Sequence, residues 1–142
     1  MRIDRELFRT GVPVIDAQHE AYLDLVDRLF AQCQQPNVTH QALANDLDEV
    51  LAYAVEHFDT EQYLMQSKVY PYYKEHLAQH NLFRDHMDDF FAELRTDIPA
   101  DTLTVRLTEW LLEWVAEHVQ TNDRKFAAFL DTTRKRELAG VA

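Results

Sequence analysis

Apolar residues recur at three- and four-residue spacings in four long stretches, broken by proline-containing segments. This period places them on one face of a helix. The first stretch predicts a helix over about 16–35, capped by Asp16 after an extended Gly11-Val12-Pro13 and stopped by Pro36-Asn37. Its stripe is His19, Tyr22, Val26, Leu29 and Cys33. A second helix is expected over about 39–68 with Thr39 as N-cap; its stripe is Leu43, Leu47, Val50, Ala54, His57, Glu61 and Leu64. Beyond Pro71, a third over about 72–95 carries His76, His80, Phe83, Met87, Phe90 and Leu94. The fourth, over about 101–136, begins with Leu103, Leu107, Trp110, Trp114 and His118. There the period slips. Continuing by threes and fours puts Asn122 and Lys125 in the core, whereas one extra residue gives Asp123, Phe126 and Leu130. The slip predicts a single wide π turn between His118 and Asp123.

Short links between long helices make neighbours antiparallel. The expected fold is all-α, an up-down-up-down four-helix bundle in a single domain over 1–142, with an extended arm at 1–14 and the bundle at 15–136. Composition agrees: 2 glycines and 4 prolines in 142 residues leave little turn material for a many-stranded sheet. Net charge is −11, which repels nucleic acid and anionic membrane surfaces. No apolar run has the roughly 18 residues needed to span a bilayer, and the charged start, 1–8, lacks the apolar stretch of a secretory signal. The one cysteine, Cys33, has no disulfide partner and is expected in the core. The expected location is the cytoplasm.

Seven polar residues interrupt the apolar stripes: His19, His57, Glu61, His76, His80, His118 and Asp123. Each is expensive to bury without a partner, and every helix contributes at least one. His57 and Glu61, and likewise His76 and His80, are four apart and share a helix face. His118 and Asp123 are five apart, and the inferred π turn returns them to one face. The other two histidines, His40 and His86, fall off the stripes and are expected in solvent. Five imidazoles and two carboxylates exceed what one tetrahedral zinc can use. Two six-coordinate irons use them well, with both carboxylates and a solvent-derived oxygen as bridges. Three histidines then fall to one iron and two to the other, which keeps an open position. No glutamate has a histidine three residues later, as the carboxylate-rich di-iron bundles require. Two glycines build no phosphate loop, and no zinc-peptidase helix motif is present.

These residues resemble the hemerythrin family, specifically its bacterial branch, from Gly11 to about Leu130. The matching pieces are Gly11-Val12-Pro13-Val14-Ile15-Asp16-Ala17-Gln18-His19, then His57-Phe58-Asp59-Thr60-Glu61, Tyr70-Pro71 with His76 and His80, and Trp114 through His118 to Asp123. The resemblance implies two iron ions bridged by oxo or hydroxo. His76, His80 and His118 would bind the saturated iron, and His19 and His57 the iron with the vacancy. Glu61 and Asp123 would bridge, and dioxygen would bind reversibly at the vacancy. By resemblance the oxygen pocket is lined by Phe58, Trp114, Val115 and Val119. Two positions depart from the family pattern: Tyr22, where leucine is usual, adds a phenol near the pocket, and Gln62, where a second acid is common, is expected to be peripheral. The implied role is an oxygen carrier or store and not an enzyme, which the short termini favour. The alternatives are an oxygen or redox sensor with a fused or associated signalling output domain, and a di-iron enzyme acting on nitric oxide or peroxide or repairing iron centres. A metal-free helical interaction module leaves the seven polar residues unexplained.

Overall fold

The computed structural model describes residues 3–140, apart from the side chain of Cys33, so the expected core position of Cys33 lies outside the described residues. Five helical segments form the bundle: α1 (Pro13–Cys33), α2 (His40–Ser67), α3 (Tyr73–Glu93), α4 (Ala100–His118) and α5 (Arg124–Leu138). A π turn over Val119–Asp123 joins α4 to α5, with helical dihedrals at both junctions, so the three pieces run on as one rod. α1 packs on α2 and α4, and α3 on α2 and α4, closing a four-cornered bundle. No helix among the described residues is long and apolar enough to cross a membrane.

The helix ends have local causes. Thr39 caps α2, its Oγ1 accepting from the Ala42 backbone N–H at 3.0 Å. Asp16 is not the cap expected of it. The helix starts three residues earlier, at Pro13, whose missing N–H costs nothing there. From inside the first turn the Asp16 carboxylate accepts from Thr10 N and Oγ1, both 2.7 Å, and from Gly11 N at 3.0 Å. The arm is not wholly extended either. Asp4 caps a 3-10 turn over Arg5–Phe8, and Arg5 reaches Glu20, Asp24 and Asp27 on α1 at 2.7–3.0 Å. Arg124 donates to the carbonyls of Arg9, Glu6 and Leu7, tying the arm to α5.

The α2–α3 link holds a strained residue. Tyr70 N donates to Met65 O at 2.9 Å and Val69 N to Gln66 O at 3.2 Å, a left-handed helix stop of the kind that favours glycine. Val69 occupies the left-handed position at φ 53° and is 83% exposed. A β-branched side chain there costs about 1–2 kcal/mol, and its exposure means that no packing is recovered. Val69→Gly is expected to stabilise the protein by about 1 kcal/mol, read as a higher unfolding midpoint in urea at unchanged slope.

The interior is divided in two. A large apolar cluster includes Tyr22, Leu23, Val26, Leu47, Phe58, Phe83, Met87, Leu107, Leu111 and Val115. A smaller one gathers Ile15, Met65, Tyr70 and Phe126. His19 on α1, Glu61 on α2 and Asp123 on the α4–α5 rod fall in sequence between the two, while His57 and His118 sit beside Phe58 and Val119 at the edge of the larger cluster. The fourth stripe is offset from expectation: Leu111 and Val115 are buried, while Trp110 and Trp114 lie half-buried at the edge. Thr104 and Thr108 are buried beside them, their hydroxyls donating to carbonyls four residues back.

Candidate metal centre

All seven polar stripe residues are buried, none more than 6% exposed, and they come from all four corners of the bundle. Their ligand atoms form two overlapping groups, each within 4.8 Å: Glu61, His76, His80, His118 and Asp123 in one, and His19, His57, Glu61 and Asp123 in the other. The two carboxylates belong to both. Asp123 divides cleanly, with Oδ2 3.0 Å from His19 Nε2 and Oδ1 3.0 Å from His118 Nε2 and 3.1 Å from His76 Nε2. Glu61 turns Oε1 to His57 Nε2 at 2.6 Å and Oε2 to His76 Nε2 at 3.1 Å; His80 Nε2 is 3.9 Å from Oε1. Each carboxylate thus spans both groups, as a bridge between two cations requires.

The π turn makes this possible. Five residues of ordinary α-helix rotate a side chain by about 140° from its starting direction, whereas the wider turn absorbs the extra residue and aims Asp123 back at His118. The expectation drawn from the pattern slip is met at the same residues.

Three ring nitrogens have orienting partners on the far side of the ring. His19 Nδ1–H donates to the Phe8 carbonyl at 2.9 Å. His57 Nδ1–H donates to Gln18 Oε1 at 2.7 Å, and Gln18 Nε2 donates to Thr60 Oγ1 at 3.0 Å. These bonds keep the proton on Nδ1 and leave the Nε2 lone pair inward. The Gln62 amide lies 3.1 Å from His80 Nδ1, so Gln62 is not peripheral as expected. Two rings are also held by stacking: Phe58 on His80 at 3.9 Å and 12°, and Trp114 on His118 at 4.6 Å and 11°.

The inward atoms are unsatisfied. Nε2 of all five histidines and all four carboxylate oxygens are buried without a partner in hydrogen-bond geometry, despite their short approaches. Two buried carboxylates facing neutral imidazoles would leave uncompensated negative charge, and a pair of cations cancels it. The donor set fits metal ions better than it fits itself.

Without metal, protons partly fill that role. Burial lowers the His76 pKa, but Asp123 and Glu61 outweigh it and push it up to about 9. His19 moves upward for the same reason, against burial, through Asp123 and Glu61. Burial together with His118 and His76 pushes His80 down. Burial raises the Asp123 carboxyl, but His118, His19 and His76 hold it well below the carboxylate range. The His76 ion pair therefore stabilises the metal-free fold fully below about pH 6.5 and is lost as pH rises through about 9. A metal must displace that proton. Metal uptake at pH 7 is expected to release roughly one proton or more per chain, measurable with an indicator dye, and apparent affinity should climb until about pH 9.

A small cavity adjoins the cluster, lined by His19, His57, His118 and Asp123 and by Tyr22, Ala54, Phe58, Phe83, Trp114 and Val115. It leaves about 10 Å³ for the centre of a water-sized guest, roughly one small molecule. Four of the five expected pocket residues line it. Val119 is fully buried and is not among the lining residues. Ala54 and Phe83 take part instead, and their stripe positions could have indicated this. Burial pushes the Tyr22 phenol well above its usual pKa, so it stays protonated. The two histidines set aside are not free in solvent: His40 Nε2 lies 2.7 Å from the Ile98 carbonyl, and His86 packs on Trp110 at 4.6 Å.

A four-helix bundle with two histidine groups sharing two buried carboxylates defines a class of helical metal-binding domains. The Hemerythrin HHE cation binding domain family matches residues 10–130, and the chain belongs to this hemerythrin family, whose members bind iron. It is 28% identical over 119 residues to a bacteriohemerythrin of Stenotrophomonas maltophilia, covering 82% of this chain and 73% of that one. It is 27% identical over 125 residues to a bacteriohemerythrin of Methylococcus capsulatus, covering 87% and 91%. To hemerythrin of Phascolopsis gouldii it is 27% identical over 119 residues, covering 84% of each. A crystal structure of wild-type hemerythrin shares the fold, with a TM-score of 0.75 at 24% identity over 90% of this chain and 95% of that one.

Proposed function

We propose that the chain holds two iron ions, bridged by Glu61, Asp123 and an oxo or hydroxo group, and binds dioxygen reversibly as a carrier or store. The observation that carries this reading is the inequality of the two ligand groups. One offers three histidines and two carboxylates, the other two histidines and the same two carboxylates. An ion held by His19 and His57 is one ligand short, and the cavity reaches both of those rings, together with His118 and Asp123. Iron supplies the electrons for binding a diatomic at such a position.

The chain's own residues do the rest. Phe8 and Gln18 fix the two rings beside the cavity, while Phe58, Phe83, Trp114 and Val115 make its wall apolar. An apolar wall excludes the water and protons that would promote irreversible oxidation. Room for one small guest favours binding over conversion of a larger substrate, so we read the protein as a non-enzyme. A reducing cytoplasm suits a centre that must return to the ferrous state. One observation favours a second reading, a redox sensor: Asp123 lies in the π turn that leads directly into α5, so events at the bridge act on that helix.

The test is the visible spectrum of iron-loaded, anaerobically reduced protein before oxygen, after oxygen and after purging. A charge-transfer band that appears and then reverses is the expected result. Immediate irreversible oxidation would favour the sensor or an enzyme, and no iron-dependent spectrum would overturn the reading.

A further inference from the structure

Tyr22 follows His19 by three residues on α1, so it projects from the same helix face about one turn further on. It is 5% exposed and lines the cavity beside His19 and His57. Its hydroxyl is buried and, among the described residues, has no hydrogen-bond partner. A buried hydroxyl without a partner is costly, and phenylalanine would fill nearly the same space without that cost. The rest of the wall does not satisfy it. Ala54, Phe58, Phe83 and Val115 offer no side-chain acceptor, and the Trp114 indole only donates. The inward atoms of His19, His57, His118 and Asp123 are those that face the metal positions. The acceptor still missing is one that a guest in the cavity would bring.

We propose that Tyr22 donates a hydrogen bond to the small molecule held at the open metal position, so that the site selects guests whose outer atom accepts one. The proposal rests on the two-iron reading above and adds a specificity-determining residue to it. The guest class is a di- or triatomic with a terminal acceptor atom, negatively charged or drawing charge from the metal. Such a guest gains a charge-assisted bond in a site with little competing water.

The experiment compares the iron-loaded, oxidised protein with Tyr22→Phe, using azide as the probe. Iron content is measured first and is expected to be equal. Azide affinity, followed by its visible absorption, is expected to fall about ten- to a hundredfold in Tyr22→Phe. The infrared stretch of bound azide should shift between H₂O and D₂O in the parent protein and not in the variant. The thermal midpoint of metal-free Tyr22→Phe should equal or exceed the parent's, because the hydroxyl has no protein partner to lose. Equal azide affinity and an equal isotope shift at equal iron content would overturn the proposal. So would a lowered metal-free midpoint, which would show that the hydroxyl bonds within the protein. A parent chain that takes up no iron would overturn the two-iron reading and this proposal with it, an outcome seen in the iron assay alone.

Discussion

Asp123→Asn is expected to empty both metal positions, whereas His57→Ala empties only one. The contrast follows from how the ligands are shared. Asp123 gives one oxygen to the side of His19 and the other to that of His76 and His118. An amide is uncharged and has a single acceptor oxygen, so it bridges two cations poorly and leaves both short of charge. His57 faces only Glu61 Oε1 and belongs to one group alone. Its loss leaves the other group with three histidines and two carboxylates. Iron per chain should therefore step down from about two in the parent to about one in His57→Ala and near zero in Asp123→Asn, on the two-ion reading of the cluster. Asp123→Asn should also lower metal-free stability below about pH 9, by roughly 3–5 kcal/mol, since it leaves the protonated His76 ring with less counter-charge in a buried place. Equal iron in the two variants would show that Asp123 is not shared.

The parts of this centre that were legible in the sequence are those that follow from helical period. A histidine or carboxylate on an apolar stripe is out of place, and stripes on four helices meet at one axis, so the seven inward residues could be read together. The slip after His118 was legible because Phe126 and Leu130 require a core position that the unbroken period denies them. What period does not carry was missed. The Phe8 carbonyl that orients His19 is backbone, delivered by a 3-10 turn whose charged residues look like a solvated arm. Gln18 and Gln62 sit one step off the stripe, where a long side chain still reaches the outer nitrogen of a ligand ring. The helical period places Trp110 and Trp114 on the buried stripe, yet their breadth suits the edge, where one ring covers His86 and the other His118. Val119, adjacent to a ligand and expected in the pocket wall, is fully buried but is not among the residues that line the cavity. Helix period gives a face, and the atoms that tune a site are set by reach and by backbone outside that face.

Inserting one alanine between Gln120 and Thr121 is expected to abolish metal binding, whereas deleting Thr121 is not. The π turn already holds one residue more than an α-helical path from His118 to the bridge. Deletion of Thr121, which is exposed and whose hydroxyl bonds to the Glu117 carbonyl and Asn122 Oδ1, puts the aspartate four residues after His118. An ordinary α-helix holds that pair on one face at about 40°, so the bridge and the helix beyond keep their register. Insertion has no such remedy. The turn cannot widen again without a run of poor geometry, so the rod rotates by about 100°. Asp123 then leaves the cluster and Phe126 leaves its place against Tyr70, 4.9 Å between centroids. Loss of a buried phenylalanine contact set costs about 3–5 kcal/mol, so the insertion variant should be strongly destabilised as well as metal-free. The deletion variant should keep about two irons per chain, on the same two-ion reading, and most of its stability. Loss of iron in the deletion variant, with helix content intact, would mean that the π turn sets ligand geometry beyond register. Retention of iron by the insertion variant would mean that Asp123 is not a ligand.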